Sequence, residues 1–375
     1  MVTETQATVE RDARLSQGRW LRIPGPSVVH PDAVIAQTRD MVPHRGPLMT
    51  AFMGELFLKL KKAHRTESNV LVWPGSGSAG WEAAITNFLA PGDRVVATVG
   101  GSFGARWASI GEQFGLDVRR VEVEWGQPVP PDVFADALTR AGEVRAVFIT
   151  HNETSTGVTN PLPELAALAR QAGALVLVDA VSAAGAMPLE TDEWELDWVL
   201  SGSQKAWMCP PGLMIAAVSD RSLRATARSG YPRFFWDVRE MAKAAEASAT
   251  LTTPPLSLLF ALDAALDVIL AEGLERVWTR HDRLGRFVRS ALTDLGLRLM
   301  AEDGYASASI TAFSPPAEMS ASGLRDRIAD ASGIEIAVGQ GAYADTINRI
   351  GHMGWVEEPE LAATIEAIAR QIQAR

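Results

Sequence analysis

Seven short runs of apolar, β-favouring residues alternate with helix-length segments between about residues 60 and 220. Strands that are apolar on both faces and separated by helices are typical of a mostly parallel sheet covered by helices. The sequence therefore predicts an α/β fold with a mostly parallel, seven-stranded sheet. The predicted strands are residues 70–73, 94–98, 118–123, 145–150, 174–178, 198–200 and 213–218.

The rest of the chain predicts two further units. Residues 1–18 are polar and unpatterned, which predicts a loose N-terminal arm. Residues 257–275 have helical periodicity and lead out of a large domain at 19–275. The remaining residues, 276–375, are patterned as helix, strands and helix, which predicts a smaller α+β domain.

Composition excludes several classes of protein. The chain of 375 residues has a net charge of −10, which disfavours nucleic acid or an anionic membrane as its main partner. The single cysteine, Cys209, excludes an internal disulfide and a cysteine-based zinc cluster, and it fits a reducing compartment. Without an apolar run long enough to span a membrane or a signal-peptide pattern, the sequence predicts a soluble, cytoplasmic protein.

A glycine-rich turn follows the first predicted strand. Gly75, Gly77 and Gly80 fit the spacing of a dinucleotide-binding turn, but the next strand does not end in the acid that would bind a ribose. Free backbone N–H groups and the hydroxyls of Ser76 and Ser78 could instead bind one phosphate at the start of the following helix, which is predicted at Trp81–Leu89. A tight turn that binds nothing remains the alternative.

Two charged residues stand alone in apolar surroundings, each near the carboxyl end of a predicted strand. Asp179 is the only charged residue between Arg170 and Glu190, and Lys205 is the only one between Asp197 and Asp220. Singly, Asp179 could be a helix cap or turn acid, and Lys205 could lie in a solvated loop. Together, at the edge where open α/β sheets bind ligands, they indicate a site.

A phosphate-binding turn, a buried acid and a buried lysine are what pyridoxal 5′-phosphate (PLP) requires. A lysine forms a Schiff base with the cofactor, and an acid keeps the ring nitrogen protonated so that the ring accepts electrons. Val181 points to the same strand face as Asp179, so Val181 could lie under the ring while Asp179 meets its nitrogen.

These residues resemble the class V aminotransferases, specifically the alanine–glyoxylate and serine–glyoxylate (serine–pyruvate) branch of fold type I of the PLP-dependent transferases. The likeness runs from Pro24 to the C-terminal helix. Five further segments carry it in order and spacing: residues 75–78, 152–157, 178–182, 201–212 and 349–354.

The resemblance assigns roles to individual residues. Lys205 would bond to the cofactor and Asp179 would pair with its ring nitrogen. Phe103 would stack on the ring and Thr154 would meet its 3′ oxygen. The phosphate would be bound by Ser76, Gly77, Ser78 and Gln204.

The same resemblance places residues around the substrate and between subunits. Arg349 would clamp the substrate carboxylate with a two-pronged ion pair. Thr253 matches a threonine that reaches the neighbouring subunit's phosphate, which implies a homodimer with shared sites. Thr250 stands where some members have a tyrosine, which leaves its role open. Gly25 and the pair His44 and Arg45 would lie near the mouth of the site, where a structural role is equally open.

The sequence therefore predicts a PLP-dependent transaminase that moves the amino group of a small L-amino acid, serine or alanine, to glyoxylate or pyruvate. A ureidoglycine–glyoxylate aminotransferase remains open, and so does a catalytically silent assembly subunit. A lyase or cysteine desulfurase is disfavoured, because those members stack a histidine where this chain has Phe103 and use a loop cysteine. Cys209 is best explained as a packed apolar residue. An NAD-dependent dehydrogenase is disfavoured by the missing ribose acid.

Overall fold

The computed structural model describes residues 20–373, so the predicted arm at 1–18 lies outside the described residues. The first half of the described chain contains these elements: β1 (Trp20–Leu21), α1 (Pro31–Ala36), α2 (Pro47–His64), β2 (Asn69–Pro74), α3 (Gly77–Phe88), β3 (Arg94–Val99), α4 (Ser102–Gln113), β4 (Asp117–Glu122), α5 (Pro131–Ala141), β5 (Ala146–Thr150), β6 (Asn152–Glu153), β7 (Val158–Thr159) and α6 (Leu162–Gln171).

The second half contains β8 (Leu175–Asp179), β9 (Trp198–Gly202), β10 (Leu213–Val218), α7 (Asp220–Ala225), α8 (Val238–Glu246), α9 (Leu256–Glu272), α10 (Leu274–Asp294), β11 (Arg298–Leu299), β12 (Ile310–Ser314), α11 (Ala321–Ser332), β13 (Ile334–Glu335), β14 (Ala337–Val338), β15 (Asn348–Gly351) and α12 (Glu358–Gln373). Two short 3₁₀ turns lie at Thr226–Arg228 and Gly341–Tyr343.

A seven-stranded sheet, in the order β2-β10-β9-β8-β5-β3-β4, is the framework of the large domain. The contacts among β9, β8, β5, β3 and β4 are parallel, and only β10 runs antiparallel to its two neighbours. This arrangement confirms the predicted α/β fold and its mostly parallel sheet. All seven predicted runs are strands of it.

Both faces of the large sheet are buried under helices. In β8, Val176 and Val178 pack into one hydrophobic core, whereas Leu175 and Leu177 pack into a second core on the opposite face. The alternation of side chains along a strand places neighbours in different cores, and this is why the strand is apolar at every position. When helices cover both faces of a sheet, the ends of the strands are the place where a ligand site can form.

The C-terminal part of the chain contains a second, four-stranded sheet in the order β11-β12-β15-β14. Leu284 of α10, Leu324 of α11 and Ile368 of α12 share a core with Phe313 of β12. The two-residue strand β1 pairs in parallel with β13, so the start of the described chain lies against this part of the molecule. The division at residues 275 and 276 stays a prediction.

The helix predicted at 257–275 is two helices in the structure. Helix α9 ends at Glu272 and α10 begins at Leu274, because Gly273 adopts a positive φ of 86° that interrupts the helical backbone. Asp263 and Asp267 of α9 share a face, and both bind Nζ of Lys59 on α2, at 2.6 and 2.7 Å. Among residues 20–373, none of the helices is both long and apolar enough for a membrane span.

Candidate active site

Several of the predicted site residues meet at the carboxyl edge of the large sheet. Strand β8 ends at Asp179, and the connection between β9 and β10 carries Lys205. The glycine-rich turn between β2 and α3 reaches the same edge, because β2 and β9 both run antiparallel to β10. Residues far apart in the sequence are thereby brought to the place where open α/β sheets bind ligands.

Asp179 is a buried carboxylate, 5% exposed, that is held by two neutral donors. The backbone N–H of Val181 donates to Oδ1 at 2.9 Å, and the indole N–H of Trp81 donates to Oδ2 at 3.1 Å. Burial raises the pKa of Asp179 to about 6, and the negative charge of Glu153 adds to the effect, although both donors oppose it. At neutral pH the site therefore contains a buried negative charge that forms no ion pair with any described residue.

Lys205 is the complementary amine, and its side chain is half-buried. Its Nζ donates to the carbonyl oxygen of Pro24 at 2.6 Å, and a Cβ on Gly25 would overlap the ammonium, so only glycine fits beside it. Ser27 fastens this loop by donating from Oγ to the Lys205 carbonyl at 2.6 Å. Burial lowers the pKa of Lys205 to about 8, with a further contribution from the charge of Arg349. The neutral, nucleophilic form of Lys205 is consequently more accessible near neutral pH than that of an ordinary exposed lysine.

The turn between β2 and α3 leaves the start of a helix open. Helix α3 begins at Gly77, four residues earlier than the predicted start at Trp81, and within the described chain no side chain caps it. Ser76 and Ser78 are exposed at this end, and a Cβ on Gly77 would lie 2.8 Å from Cγ2 of Val181. Uncapped N–H groups beside two free hydroxyls suit a phosphate.

Arg349 lies on β15 of the smaller sheet and is 6% exposed. Its Nε and Nη2 donate to the Val338 carbonyl at 3.0 and 2.8 Å, and Nη1 donates to the Thr154 carbonyl at 3.1 Å. No carboxylate among residues 20–373 forms an ion pair with it. Burial lowers its pKa to about 10, although Glu153 opposes the shift. A guanidinium that is oriented by carbonyls and lacks a counter-ion suits an anionic ligand.

Phe103 is half-buried near the start of α4, and its backbone is held by a residue that sequence reasoning missed. Oε2 of Glu153 accepts from the N–H groups of Phe103 and Gly104 at 3.1 and 3.0 Å, and Oε1 accepts from Oγ of Ser155 at 2.5 Å. Glu153 thus caps α4 and fixes the position of the Phe103 ring. It lies in segment 152–157, which carried the family resemblance, but nothing in the sequence paired it with Phe103.

A network of small polar side chains surrounds Thr154, another predicted site residue. Its Oγ1 donates to Oγ of Ser182 at 2.8 Å, and Nδ2 of Asn152 donates to the same oxygen at 2.8 Å. Oγ of Ser309 donates to the Ser182 carbonyl at 2.8 Å, which joins the smaller sheet to the network. The sequence did not indicate Asn152, Ser182 or Ser309 as partners, because each is an ordinary small polar residue in its local context.

The remaining predicted residues differ in how they reach the site. Gln204, next to Lys205, has a buried Oε1 without a hydrogen-bond partner in the described chain. Thr253 is exposed, and its Oγ1 lies 3.5 Å from Nε2 of His44. Oγ1 of Thr250 donates to the Thr252 carbonyl at 2.8 Å, and Arg45 is exposed. The single chain does not bring Thr253, His44, Thr250 or Arg45 together with Lys205.

Comparison with known proteins places this geometry in a family. The family model described as aminotransferase class-V matches residues 35–353. An L-aspartate–glyoxylate aminotransferase of Paracoccus denitrificans is 37% identical, over 88% of this chain and 85% of its own. A protein of Anabaena cylindrica named soluble hydrogenase 42 kDa subunit is 40% identical, over 93% and 91%. The crystal structure of an alanine–glyoxylate aminotransferase from Nostoc sp. superposes with a TM-score of 0.91 at 30% identity, over 95% of both chains.

The match to the family model covers most of the chain, and the solved structure shares its whole architecture. Both agree with the observed fold. The chain therefore belongs to the class V aminotransferases.

Proposed function

We propose that this aminotransferase binds PLP and transfers the amino group of a small L-amino acid, serine or alanine, to glyoxylate or pyruvate. The observation that carries the proposal is the pair Asp179 and Lys205. They lie on adjacent elements at one sheet edge. Asp179 is buried and Lys205 is half-buried, and neither lies within ion-pair distance of an opposite charge in the described chain. Buried charges are costly, so an unpaired acid and an unpaired amine in one site indicate a ligand that meets both.

The residues present fit PLP at each of its functional groups. The uncapped start of α3, with Ser76 and Ser78, offers donors to a phosphate. Asp179 offers an oriented carboxylate to a pyridine nitrogen, and Lys205 offers an amine to an aldehyde. Gly77 brings the backbone of the turn against Val181, so the phosphate end and the ring face of the site are in contact.

When bound, PLP supplies an electron sink that makes a Cα proton of the amino acid removable. Nζ of Lys205 carries that proton, because its pKa of about 8 lies close to neutral pH and an amine in equilibrium between its two forms both takes and returns a proton. Asp179, with a pKa of about 6, remains ionised at the same pH and holds a proton on the ring nitrogen. The surrounding apolar strands exclude water from both groups.

Arg349 limits the substrate to a carboxylate. The guanidinium is fixed by the carbonyls of Val338 and Thr154, so its remaining N–H groups can meet a carboxylate with little loss of side-chain entropy. The donor is proposed to be small, with a single carboxylate like serine or alanine. The reason is that, among the described residues, Arg349 is the only arginine at the site that is buried and not already paired with a carboxylate. The aspartate–glyoxylate relative makes L-aspartate the natural competitor to test.

We infer that the enzyme is a cytoplasmic homodimer with shared active sites. Ile35 of α1 and Leu48 of α2 are 67% and 68% exposed, and Met41 between them is also exposed, which supports a covered face. Thr253 is exposed and His44 is half-buried in the single chain, and both would reach the partner's site. Sedimentation equilibrium of the purified protein tests this: a dimer mass is expected, and a monomer at micromolar concentration would contradict it.

The hydrogenase name of the Anabaena relative is not transferred to this chain. Iron–sulfur clusters are bound by several cysteine thiolates, whereas this chain has one cysteine. Cys209 is buried, and burial raises the pKa of its thiol to about 12. The same buried thiol disfavours a desulfurase, which needs a reactive loop cysteine. A silent assembly subunit is disfavoured because Lys205, Asp179 and Arg349 are all present.

Transfer of isotope tests the proposal directly. The protein is incubated with PLP, glyoxylate and ¹⁵N-labelled L-serine, L-alanine or L-aspartate, and glycine is analysed by mass spectrometry. Labelled glycine is expected from serine or alanine with the wild type, and none with the folded variant Lys205→Ala. Equal label transfer by Lys205→Ala would overturn the role of the lysine. Label from none of the donors would overturn the proposed substrates, and a ureidoglycine donor would then be tested.

A further inference from the structure

We propose that Trp81 is a positioning residue for Asp179, whose indole N–H fixes and stabilises the carboxylate that faces the cofactor's ring nitrogen. The inference rests on the proposed binding of PLP. It assigns a role to a residue that the sequence placed only at the start of a helix.

The hydrogen bonds of Asp179 show what the indole contributes. Val181 N–H occupies one lone pair of Oδ1, and Trp81 Nε1–H occupies one lone pair of Oδ2. A carboxylate accepts about four hydrogen bonds, so each oxygen keeps a free lone pair. With both oxygens tied, the plane of the carboxylate is fixed, and a protonated ring nitrogen meets an acceptor that has already lost its rotational freedom.

The indole itself has no freedom to turn away. Trp81 is 2% exposed and stacks on Trp107, with ring centroids 6.2 Å apart and an interplanar angle of 17°. Its edge meets Phe103 at 6.4 Å, so the residue predicted to cover the cofactor ring and the donor to Asp179 are in one aromatic cluster. Gly80 lets α3 lie close to β9, because a Cβ there would overlap the side chain of Leu200.

Helix α3 connects the two ends of the site. Gly77, at its first position, belongs to the turn that suits the phosphate, and Trp81 stands four residues later on the same helix face. The helix therefore spaces the phosphate-binding turn and the acid by a rigid element rather than by a loop. A shift of the helix would move both contacts together.

The charged groups around Asp179 make a neutral donor valuable. Glu153 on β6 opposes ionisation of Asp179, whereas Lys205 favours it, and Arg349 on β15 faces Lys205 and Glu153. Burial already raises the pKa of Asp179 to about 6, and the indole N–H works against this shift. Without the indole, Asp179 would hold its own proton at a higher pH and would compete with the ring nitrogen for that proton.

The neighbouring indole provides a matched control. Trp107 is equally buried in the same aromatic cluster, but its Nε1 has no hydrogen-bond partner in the described chain. Trp107→Phe therefore removes the same atoms as Trp81→Phe without removing a bond to Asp179. Trp81→His is the complementary variant: imidazole Nε2–H can occupy the position of the indole N–H, although the six-membered ring is lost.

The test measures the PLP dissociation constant of each apo-protein by equilibrium dialysis between pH 5 and 8, with thermal unfolding as a check of folding. Trp81→Phe is expected to weaken PLP binding about tenfold at pH 7, the loss typical of one hydrogen bond to a charged group. The pH below which binding weakens should rise by about one unit. Trp107→Phe should leave both quantities unchanged, and Trp81→His should restore the pH profile despite its poorer packing.

The Trp81→Phe substitution made in an Asp179→Asn protein separates the effect of Trp81 on Asp179 from its effect on packing. In Asp179→Asn, which lacks the charge, Trp81→Phe should cause no further loss of PLP affinity. Equal effects of Trp81→Phe and Trp107→Phe, or a full effect of Trp81→Phe in the Asp179→Asn protein, would overturn the role of Trp81. If Trp81→Phe does not fold, a Trp81→His protein whose pH profile differs from that of the wild type would overturn it instead. A wild-type protein that binds no PLP would overturn the proposed function itself.

Discussion

Two buried aspartates on neighbouring strands of the large sheet lie in opposite electrostatic environments. Asp179 ends β8 at the carboxyl edge, and Asp197 precedes β9 at the opposite edge. Asp197 is 1% exposed and is bound by Arg221 at 2.9 Å, by Ser219 Oγ at 2.8 Å and by the N–H of Val176 at 2.9 Å. Asp179 is bound only by a backbone amide and an indole.

The difference separates structure from function. Burial raises the pKa of both carboxyls, so neither burial nor a shifted pKa alone identifies a site. The discriminating feature is the counter-charge: Asp197 has two arginines within ion-pair distance, whereas Asp179 has only the more distant charge of Lys205 in the described chain. A buried acid that has its ion-pair partners stabilises the fold, whereas a buried acid without an ion-pair partner indicates a ligand site.

Replacing Asp179, the acid without an ion-pair partner, should produce the largest effect on activity. Asp179→Asn is expected to lower kcat by about a thousandfold, within the range for a group that holds a proton in the reaction. Its melting temperature should stay the same or rise, because a buried unpaired charge is removed. Steady-state kinetics and calorimetry check both parts. A strong loss of stability with normal kcat would reverse the roles of the two aspartates.

Replacing Asp197, the acid that is paired with arginines, should lower stability and leave activity nearly unchanged. Asp197→Asn leaves Arg221 and Arg170 without their shared carboxylate. We expect a loss of about 3 kcal/mol in the free energy of unfolding, measured by urea denaturation, and kcat within about twofold of the wild type for the folded protein. An Asp197→Asn enzyme as inactive as Asp179→Asn would show that position in the sheet does not separate the two acids.

The same comparison extends to two arginines. Arg349→Ala is expected to raise KM for the amino donor by about a hundredfold, as removal of a charge-assisted pair does, with a smaller effect on stability. Arg221→Ala, its control, should lower stability and leave KM unchanged, because Arg221 binds Asp197 and the carbonyls of Gly173 and Ala174. An unchanged KM in Arg349→Ala would exclude the carboxylate clamp.

The smallest effect is a pH dependence of stability. The pKa of Asp179 is raised in the folded state, so its stabilising contribution is present below about pH 4 and is lost as the pH rises to about 6. Relative to Asp179→Asn, the apo wild type should lose about 1.4 kcal/mol of unfolding free energy per pH unit in that window, and nothing above it. Urea denaturation from pH 4 to 7 measures the difference. Buried histidines such as His64 and His151 are common to both proteins and cancel. A difference that is constant across the window would contradict the raised pKa.

The sequence predicted the large sheet because most of its strands consist largely of apolar, β-favouring residues, although β4 also contains Arg119 and Arg120. A strand buried on both faces carries that signal locally, so all seven runs were found within one or two residues. The start of α3 was predicted four residues late, because Gly77 and Ser78 are poor helix formers in isolation. The turn nevertheless adopts a helix there. The pairing of β1 with β13 could not be predicted, because each strand is only two residues long and the two are distant in the sequence.

The predicted site is richer in the structure than in the sequence. Asp179, Lys205 and Arg349 were recognised because they are isolated charges or lie in family segments. Glu153 and Trp81 were missed because their roles are set by tertiary partners, the α4 amides for Glu153 and the Asp179 carboxylate for Trp81. A buried carboxylate and an indole give no local signal of what they bind.

The visible absorption spectrum of the purified protein tests the central claim most directly. PLP is added, then L-serine or L-alanine, then glyoxylate, and the spectrum is recorded after each step. A yellow band should appear with PLP, bleach with the amino donor and return with glyoxylate, and it should be absent from Lys205→Ala. A wild-type protein that takes up no PLP would contradict the account. A band that is indifferent to every substrate would contradict the proposed transamination.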